Sequence, residues 1–247
     1  MNILGIIPAR FASTRFPGKP LVMLGDRPII QRVYESAQNA TKWVYVATDD
    51  SRIFDEVKRF GGNAVMTSSS HTSGTDRCAE ALEIIEKETS VRFDLVINIQ
   101  GDEPFIQPEQ IIQLAALFED PASQITTLVK RISNREDIFD PNKPKVVMDK
   151  NDFALIFSRS PVPYIRGLAK EDWPGEFTFY KHIGIYGYRT AVLREITKLP
   201  PSEIEMAESL EQLRWLSNGY RIKTAATIHE SIGIDTPEDL TRAIGML

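Results

Sequence analysis

Ile3-Leu4-Gly5-Ile6-Ile7 runs directly into Pro8-Ala9-Arg10-Phe11-Ala12-Ser13-Thr14-Arg15-Phe16-Pro17-Gly18-Lys19-Pro20. The first five residues are short, apolar and continuous, the pattern of a strand buried on both faces. Residues 28–40 then read as a helix, so Arg10, Arg15 and Lys19, two hydroxyls and a Pro-Gly turn fall on a strand-to-helix loop. In open parallel α/β sheets ligands bind beyond the carboxyl ends of the strands, and a phosphate-rich ligand is expected there. The alternative is a solvated basic loop, because Arg and Lys are mostly exposed. Against it, the three cations are spread along one connection and not along one helix face. The loop is no Walker A motif, and Gly-x-Gly-x-x-Gly is absent, so P-loop hydrolases and simple dehydrogenases lose their main support.

Working outward, residues 43–47 read as a strand, 51–60 as a helix ended by Gly61-Gly62, 63–66 as a strand and 75–87 as a helix. Residues 94–99 form a strongly apolar strand and 108–118 a helix. This alternation indicates an α/β fold with a parallel sheet and helices on both faces. From Ile125 the rhythm changes to strands at 125–132, 145–148, 153–158 and 179–188, which suggests a mixed extension with antiparallel pairing. Residues 161–173 are rich in Pro, aromatic and charged side chains, too irregular for a core element, and fit an arm or a lid. A helix is expected over 203–218, with Ser202 and Glu205 as a capping box and Gly219 as its stop. Residues 221–228 resemble a last strand, and Thr236 with Pro237 opens the terminal helix. With no repeat or long linker, residues 1–247 are expected to be a single domain to which about 125–190 contribute the extension.

The 247 residues suffice for a substantial core, and 42% hydrophobic with 26% charged residues is ordinary for a globular protein. A formal net charge of -5 argues against nucleic acid or an anionic membrane as partner, so the local cations serve a small anion. Cys78 is the only cysteine, which excludes an intramolecular disulfide and a cysteine-rich metal site and suits a reducing compartment. The N-terminus lacks signal-peptide features and no apolar run approaches ~18 residues, so a cytoplasmic location is expected.

Gln100-Gly101-Asp102-Glu103-Pro104 follows the most apolar strand, placing Asp102 just beyond its carboxyl end. Magnesium commonly takes one or two protein carboxylates and completes its shell with phosphate and water, although a Gly-Asp turn is the competing explanation. Asp235 is a second candidate, directly before a helix start, where capping or favourable placement at the dipole is the ordinary role. In His71-Thr72-Ser73-Gly74-Thr75-Asp76-Arg77, hydroxyls, backbone groups and Arg77 can read a base edge or ribose, and Ser73 or Thr75 can cap the next helix. His71, His182 and His229 lack metal-ligand spacing, and no nucleophile elbow supports covalent catalysis.

The motifs P-A-R-x-x-S-T-R-x-P-G-K-P, H-x-S-G-T-D-R, N-I-Q-G-D-E-P, F-S-R, H-I-G-I-Y-G-Y, L-E-Q-L-R and D-T-P-E-D-L occur in this order between Ile3 and Leu240. This series resembles the 3-deoxy-manno-octulosonate cytidylyltransferases, the CMP-Kdo synthetases of lipopolysaccharide assembly, within the sugar nucleotidyltransferases. The resemblance implies a three-layer, Rossmann-like (GT-A-like) α/β fold with a mostly parallel mixed sheet and a small extension for sugar binding and dimerisation. It implies a reaction of CTP with Kdo that needs Mg2+ and proceeds by direct in-line attack on the α-phosphorus. By motif matching, Arg10, Arg15 and Lys19 would bind the triphosphate, and Ala9, Ser73, Gly74, Arg77 and Gln100 the nucleotide. Asp102 and Asp235 would hold magnesium. Gln100, Arg159, His182, Tyr186, Glu211 and Gln212 would form the Kdo pocket, with Arg159 complementing the sugar carboxylate. The family is generally homodimeric, and the variable stretch 165–177 is the candidate contact. Rival readings are a cytidylyltransferase for another sugar acid such as sialic acid, a nucleotidyltransferase for a sugar phosphate, and a nucleotide-binding regulator without catalysis.

Overall fold

The computed structural model describes residues 1–12, 16–230 and 232–247. In chain order the elements are β1 (Ile3–Ala9), a hairpin of β2 (Met23–Leu24) and β3 (Arg27–Pro28), α1 (Ile29–Gln38), β4 (Trp43–Thr48), α2 (Ser51–Arg59), β5 (Ala64–Met66), α3 (Gly74–Thr89), β6 (Leu95–Asn98) and α4 (Pro108–Ala116). Next come β7 (Ile125–Arg131), α5 (Arg135–Phe139), β8 (Lys145–Met148), β9 (Ala154–Ser158), α6 (Trp173–Glu176), β10 (Tyr180–Arg189) and α7 (Thr190–Ile196). The order is completed by α8 (Glu203–Glu208), α9 (Gln212–Ser217), β11 (Ile222–Ala226) and α10 (Pro237–Ile244). The chain forms two compact units: Met1–Ala115, Gly187–Thr197 and Ser231–Leu247 make the first, Ala116–Tyr186 and Lys198–Glu230 the second.

In the first unit β1 lies between β4 and β6, parallel to both, and β5 extends the sheet beyond β4. Leu4, Ile6 and Ile7 are fully buried, as the unalternating run requires. Each helix is positioned by local chemistry. Asp50 caps α2 by accepting from Arg52 N, and Ser73 caps α3 by accepting from Asp76 N. Along α1 the apolar stripe Ile29, Ile30, Val33, Tyr34 and Ala37 is buried. Helix α10 adds Ala243 to a small core of Leu24, Ile29 and Ile234. Because all four strands run the same way, the turns after β1, β5 and β6 emerge at one edge.

In the second unit β11 pairs parallel with β7, while β8 is antiparallel to both β9 and β10. The expected mixed pairing is present. Two expectations are corrected. Trp173 is fully buried beside Ile132, Ile138 and Phe179, stacking on Phe179 at 6.0 Å, so the irregular stretch ends in a core residue. The expected helix over 203–218 is two helices, because Ser209 adopts φ 50° and ends α8. The carbonyls freed at that break are satisfied from a distance: Arg159 Nε donates to Glu208 O at 2.6 Å and Nη2 to Ser209 O at 3.2 Å. Nothing within the helix sequence announces a partner that far away. Among the described residues no helix is long and apolar enough to cross a membrane.

Candidate active site

Beyond the carboxyl ends of the first unit's strands lies a cavity of about 480 Å³, within the range of small-molecule sites. Pro8, Ala9, Arg10 and Ala12 form one wall, His71 to Gly74 with Arg77 another, and Lys19, Gln100, Gly101, Asp102 and Asp235 the remainder. Two glycines are required by this geometry. A Cβ on Gly101 would fall 2.9 Å from Pro8 O, so only glycine lets the loop after β6 approach the end of β1. Gly18 adopts φ +70° and its N–H donates to Phe11 O at 2.9 Å, which closes the cationic loop on itself. The Arg52 guanidinium covers the Phe11 ring at 3.3 Å.

Lys19 joins the two carboxylates singled out by sequence. Its Nζ donates to Asp102 Oδ2 at 2.6 Å and to Asp235 Oδ1 at 2.9 Å. Burial works to lower the Lys19 pKa, but the adjoining Asp102 and Asp235 outweigh it and hold the value above the usual range. Asp235 reaches this position through backbone pairing, since Ile234 N–H donates to Asp102 O at 2.9 Å. The capping explanation for Asp235 fails. Thr236 and Asp239 form the capping box of α10, and Asp239 Oδ2 also accepts from Asp235 N, while the Asp235 carboxylate turns to Lys19. Two hard oxygen donors on one nitrogen are a suitable start for a divalent cation, which needs few protein carboxylates when phosphate and water supply the rest. Among the described residues no group of three or more His, Cys, Asp or Glu forms a fuller metal cage.

Arg77 is nearly buried, donating from Nη1 to Thr67 Oγ1 at 2.6 Å and pairing through Nη2 with Asp49 at 3.2 Å. It therefore supports the wall from behind as well as lining it. Ser73 keeps the capping role weighed for it, and a Cβ on Gly74 would meet Pro8 Cγ at 3.3 Å.

Nine sequence-selected residues thus line one cavity: Ala9, Arg10, Lys19, Ser73, Gly74, Arg77, Gln100, Asp102 and Asp235. Arg15 lies outside the described residues. Arg159, His182, Tyr186, Glu211 and Gln212 all belong to the second unit. There His182 and Tyr186 are neighbours at 5.1 Å between ring centroids, flanked by Phe157 at 5.3 Å from His182 and Trp215 at 5.1 Å from Tyr186. Burial pushes the His182 pKa down to about 3, so this ring is neutral in ordinary conditions. Thr127 Oγ1 stands 2.8 Å from Ile185 O, 3.2 Å from Ile183 O and 3.0 Å from His182 Nε2. Its single proton goes to a carbonyl, so the oxygen accepts from Nε2–H and fixes the ring's tautomer. Gln212 Nε2 is buried without a hydrogen-bond partner among the described residues. Thr127 and Trp215 carry no motif signal in the sequence. His71 stands in a motif, but its lack of metal-ligand spacing concealed its place in the cavity wall.

A family model described as "Cytidylyltransferase" matches residues 4–224. The 3-deoxy-manno-octulosonate cytidylyltransferase of Parabacteroides distasonis is 56% identical over 100% of this chain and 98% of its own length. The chain belongs to the 3-deoxy-manno-octulosonate cytidylyltransferase family. A second member, from Bacteroides thetaiotaomicron, is 58% identical over 98% of this chain and 97% of the relative. Among solved structures, CMP:2-keto-3-deoxy-manno-octonic acid synthetase complexed with CTP has a TM-score of 0.90 at 40% identity, over 100% of this chain and 98% of that one. A glucose-1-phosphate thymidylyltransferase from Bacillus anthracis, at 18% identity, TM-score 0.66, and 99% and 94% coverage, shares the fold alone. Membership accounts for the mostly parallel α/β architecture and makes the chain a nucleotidyltransferase.

Proposed function

We propose that this protein transfers the cytidylyl group of CTP to Kdo, giving CMP-Kdo for lipopolysaccharide assembly and releasing pyrophosphate. The observation that carries the reading is the pairing of Lys19 with Asp102 and Asp235 in a cavity shared with Arg10 and the Ser73-Gly74 helix start. In this reading a Kdo hydroxyl oxygen attacks the α-phosphorus as the bond to the bridging oxygen of pyrophosphate breaks in line. The hydroxyl proton passes to solvent. Arg10, Arg15 and Lys19 bind the triphosphate and take up the negative charge that develops on the leaving group. Asp102 and Asp235 are the residues that would hold Mg2+, which when bound supplies Lewis-acid charge to phosphate and hydroxyl oxygens. Lys19, whose ammonium pairs with both carboxylates, would then offer it to phosphate.

For Kdo, the reading assigns Gln100, Arg159, His182, Tyr186, Glu211 and Gln212. Arg159 is held by three backbone carbonyls, those of Glu208, Pro141 and Ser209, which fixes its positive charge without cancelling it. His182 acts as a neutral hydrogen-bonding ring, and the buried Gln212 amide offers an unused donor. A homodimer in the cytoplasm completes the reading. Tyr164, Leu168 and Phe177, exposed on or beside the stretch 165–177, support that stretch as the contact between copies.

Pyrophosphate release is the test, with CTP, UTP, ATP and GTP each offered against Kdo, sialic acid and sugar 1-phosphates, with Mg2+ and with chelator. Release confined to CTP, Kdo and Mg2+ is expected. Release with sialic acid or a sugar phosphate would reassign the sugar pocket, and CTP binding without any release would favour a regulator.

A further inference from the structure

We propose that His71 reads the nucleotide base, accepting the exocyclic amino hydrogen of cytosine at Nδ1 and rejecting the carbonyl that uracil carries in its place. The inference rests on CTP as the substrate. His71 lines the cavity with its side chain about 20% exposed, and its Nε2 stands 2.5 Å from Glu80 Oε2. A carboxylate only accepts, so Nε2 carries the hydrogen. Glu80 is itself held in place, since the same Oε2 accepts from Ser68 N at 2.8 Å. Burial raises the Glu80 pKa, but the Ser68 N–H and His71 outweigh it and hold the carboxyl below its usual range, so the acceptor remains ionised. With its hydrogen held at Nε2 by Glu80, the imidazole tautomer places its lone pair at Nδ1, and no hydrogen bond among the described residues engages that atom.

Of the cavity's other polar side chains, Asp102 and Asp235 are acceptors but are engaged by Lys19, and the remainder do not make this distinction. The Thr72 and Ser73 hydroxyls rotate to donate or accept, and the Gln100 amide offers both functions. Arg10 and Arg77 only donate, which suits phosphate or a base carbonyl. His71 alone among these is held as an acceptor by a partner outside the cavity. The discrimination has two parts: an attractive contact to the amino group, and lone-pair repulsion toward the uracil carbonyl.

The experiment compares kcat/KM for CTP and UTP, with Kdo and Mg2+, in the wild type and in His71→Phe, His71→Asn, Glu80→Leu and Glu80→Gln. The wild type is expected to prefer CTP. His71→Phe should collapse that preference by about 10- to 100-fold, the scale of one discriminating hydrogen bond. His71→Asn, whose Oδ1 can stand where Nδ1 stood, should keep most of it. Glu80→Leu should lose it as His71→Phe does, with ¹⁵N spectra showing the ring no longer held as Nε2–H, whereas Glu80→Gln retains an acceptor and the preference. An unchanged CTP-to-UTP ratio in His71→Phe, or an equal loss for both nucleotides, overturns the role of His71 while leaving CTP as substrate intact. A wild type without preference for CTP overturns the functional reading, and this inference with it.

Discussion

Lys19 Nζ stands 2.6 Å from Asp102 Oδ2, and the same nitrogen also reaches Asp235, so one ammonium unites the loops after β1 and β6 and the turn before α10. The pair is only partly exposed, with the Lys19 side chain at 11% and Asp102 at 31%. Lys19→Met would leave two carboxylates facing each other without a cation. We expect turnover to fall by at least about 100-fold and stability by about 1–2 kcal/mol, measured by pyrophosphate release and thermal unfolding. Because the folded pKa of Lys19 is raised, its contribution is complete below the unfolded value of 10.5 and is lost only as pH climbs through the folded value. Wild type and Lys19→Met should therefore differ in stability by a constant amount through neutral pH. A variant turning over within threefold of wild type would remove Lys19 from the chemistry.

Gly101→Ala places a methyl group 2.9 Å from Pro8 O, a backbone atom that cannot rotate away. The loop carrying Asp102 must retreat. A stability loss of about 1–3 kcal/mol and a rise in KM for CTP are expected, by denaturant titration and steady-state kinetics. Unaltered kinetics would mean that the loop moves without carrying Asp102 with it.

Thr236→Ala removes half of the capping box that frames Asp235. Loss of such a cap costs about 1 kcal/mol. Since Asp235 N also donates to Asp239, kcat should fall together with stability. Thr236→Ser, which preserves the hydroxyl, should restore both, and failure of that rescue would separate the cap from Asp235.

Arg159→Ala should cost more than a sugar contact. The carbonyls of Glu208 and Ser209 lose their donors at the α8–α9 break, so a fall in thermal stability should accompany a KM increase for Kdo that exceeds the increase for CTP. Equal increases for both substrates would assign Arg159 to the triphosphate.

His182 predicts a pH dependence. Its pKa falls from 6.5 to about 3 on folding, so between these values the unfolded chain binds the proton and the folded chain does not. Stability from this group is complete above about pH 6.5 and declines as pH falls, by at most about 1.4 kcal/mol per unit. His182→Gln should flatten that slope in urea titrations between pH 4 and 6.5 (roughly the window over which ν differs). Thr127→Val should leave the ring neutral yet free its tautomer, detectable in its ¹⁵N shifts, and an unchanged tautomer would remove Thr127 as its anchor.

The sequence by itself determined the parallel strands β1, β4, β5 and β6 and the loops that carry chemistry, though not the short β2–β3 hairpin. A continuous apolar run such as Ile3–Ile7 can only be buried on both faces, and β/α alternation makes neighbouring strands parallel, so Arg10, Lys19 and Asp102 had to emerge at one edge. Capping residues were legible for the same reason: Ser73, Ser202 and Thr236 act on backbone groups three residues away. Only the tertiary structure decided what depends on distant partners. Asp235 belongs with Asp102 because Ile234 pairs with that loop's backbone, the helix over 203–218 breaks because Arg159 can satisfy its carbonyls, and Trp173 enters a core through ring contacts with Phe179. In each case the deciding energy comes from a group brought close by folding, which local pattern and spacing do not encode.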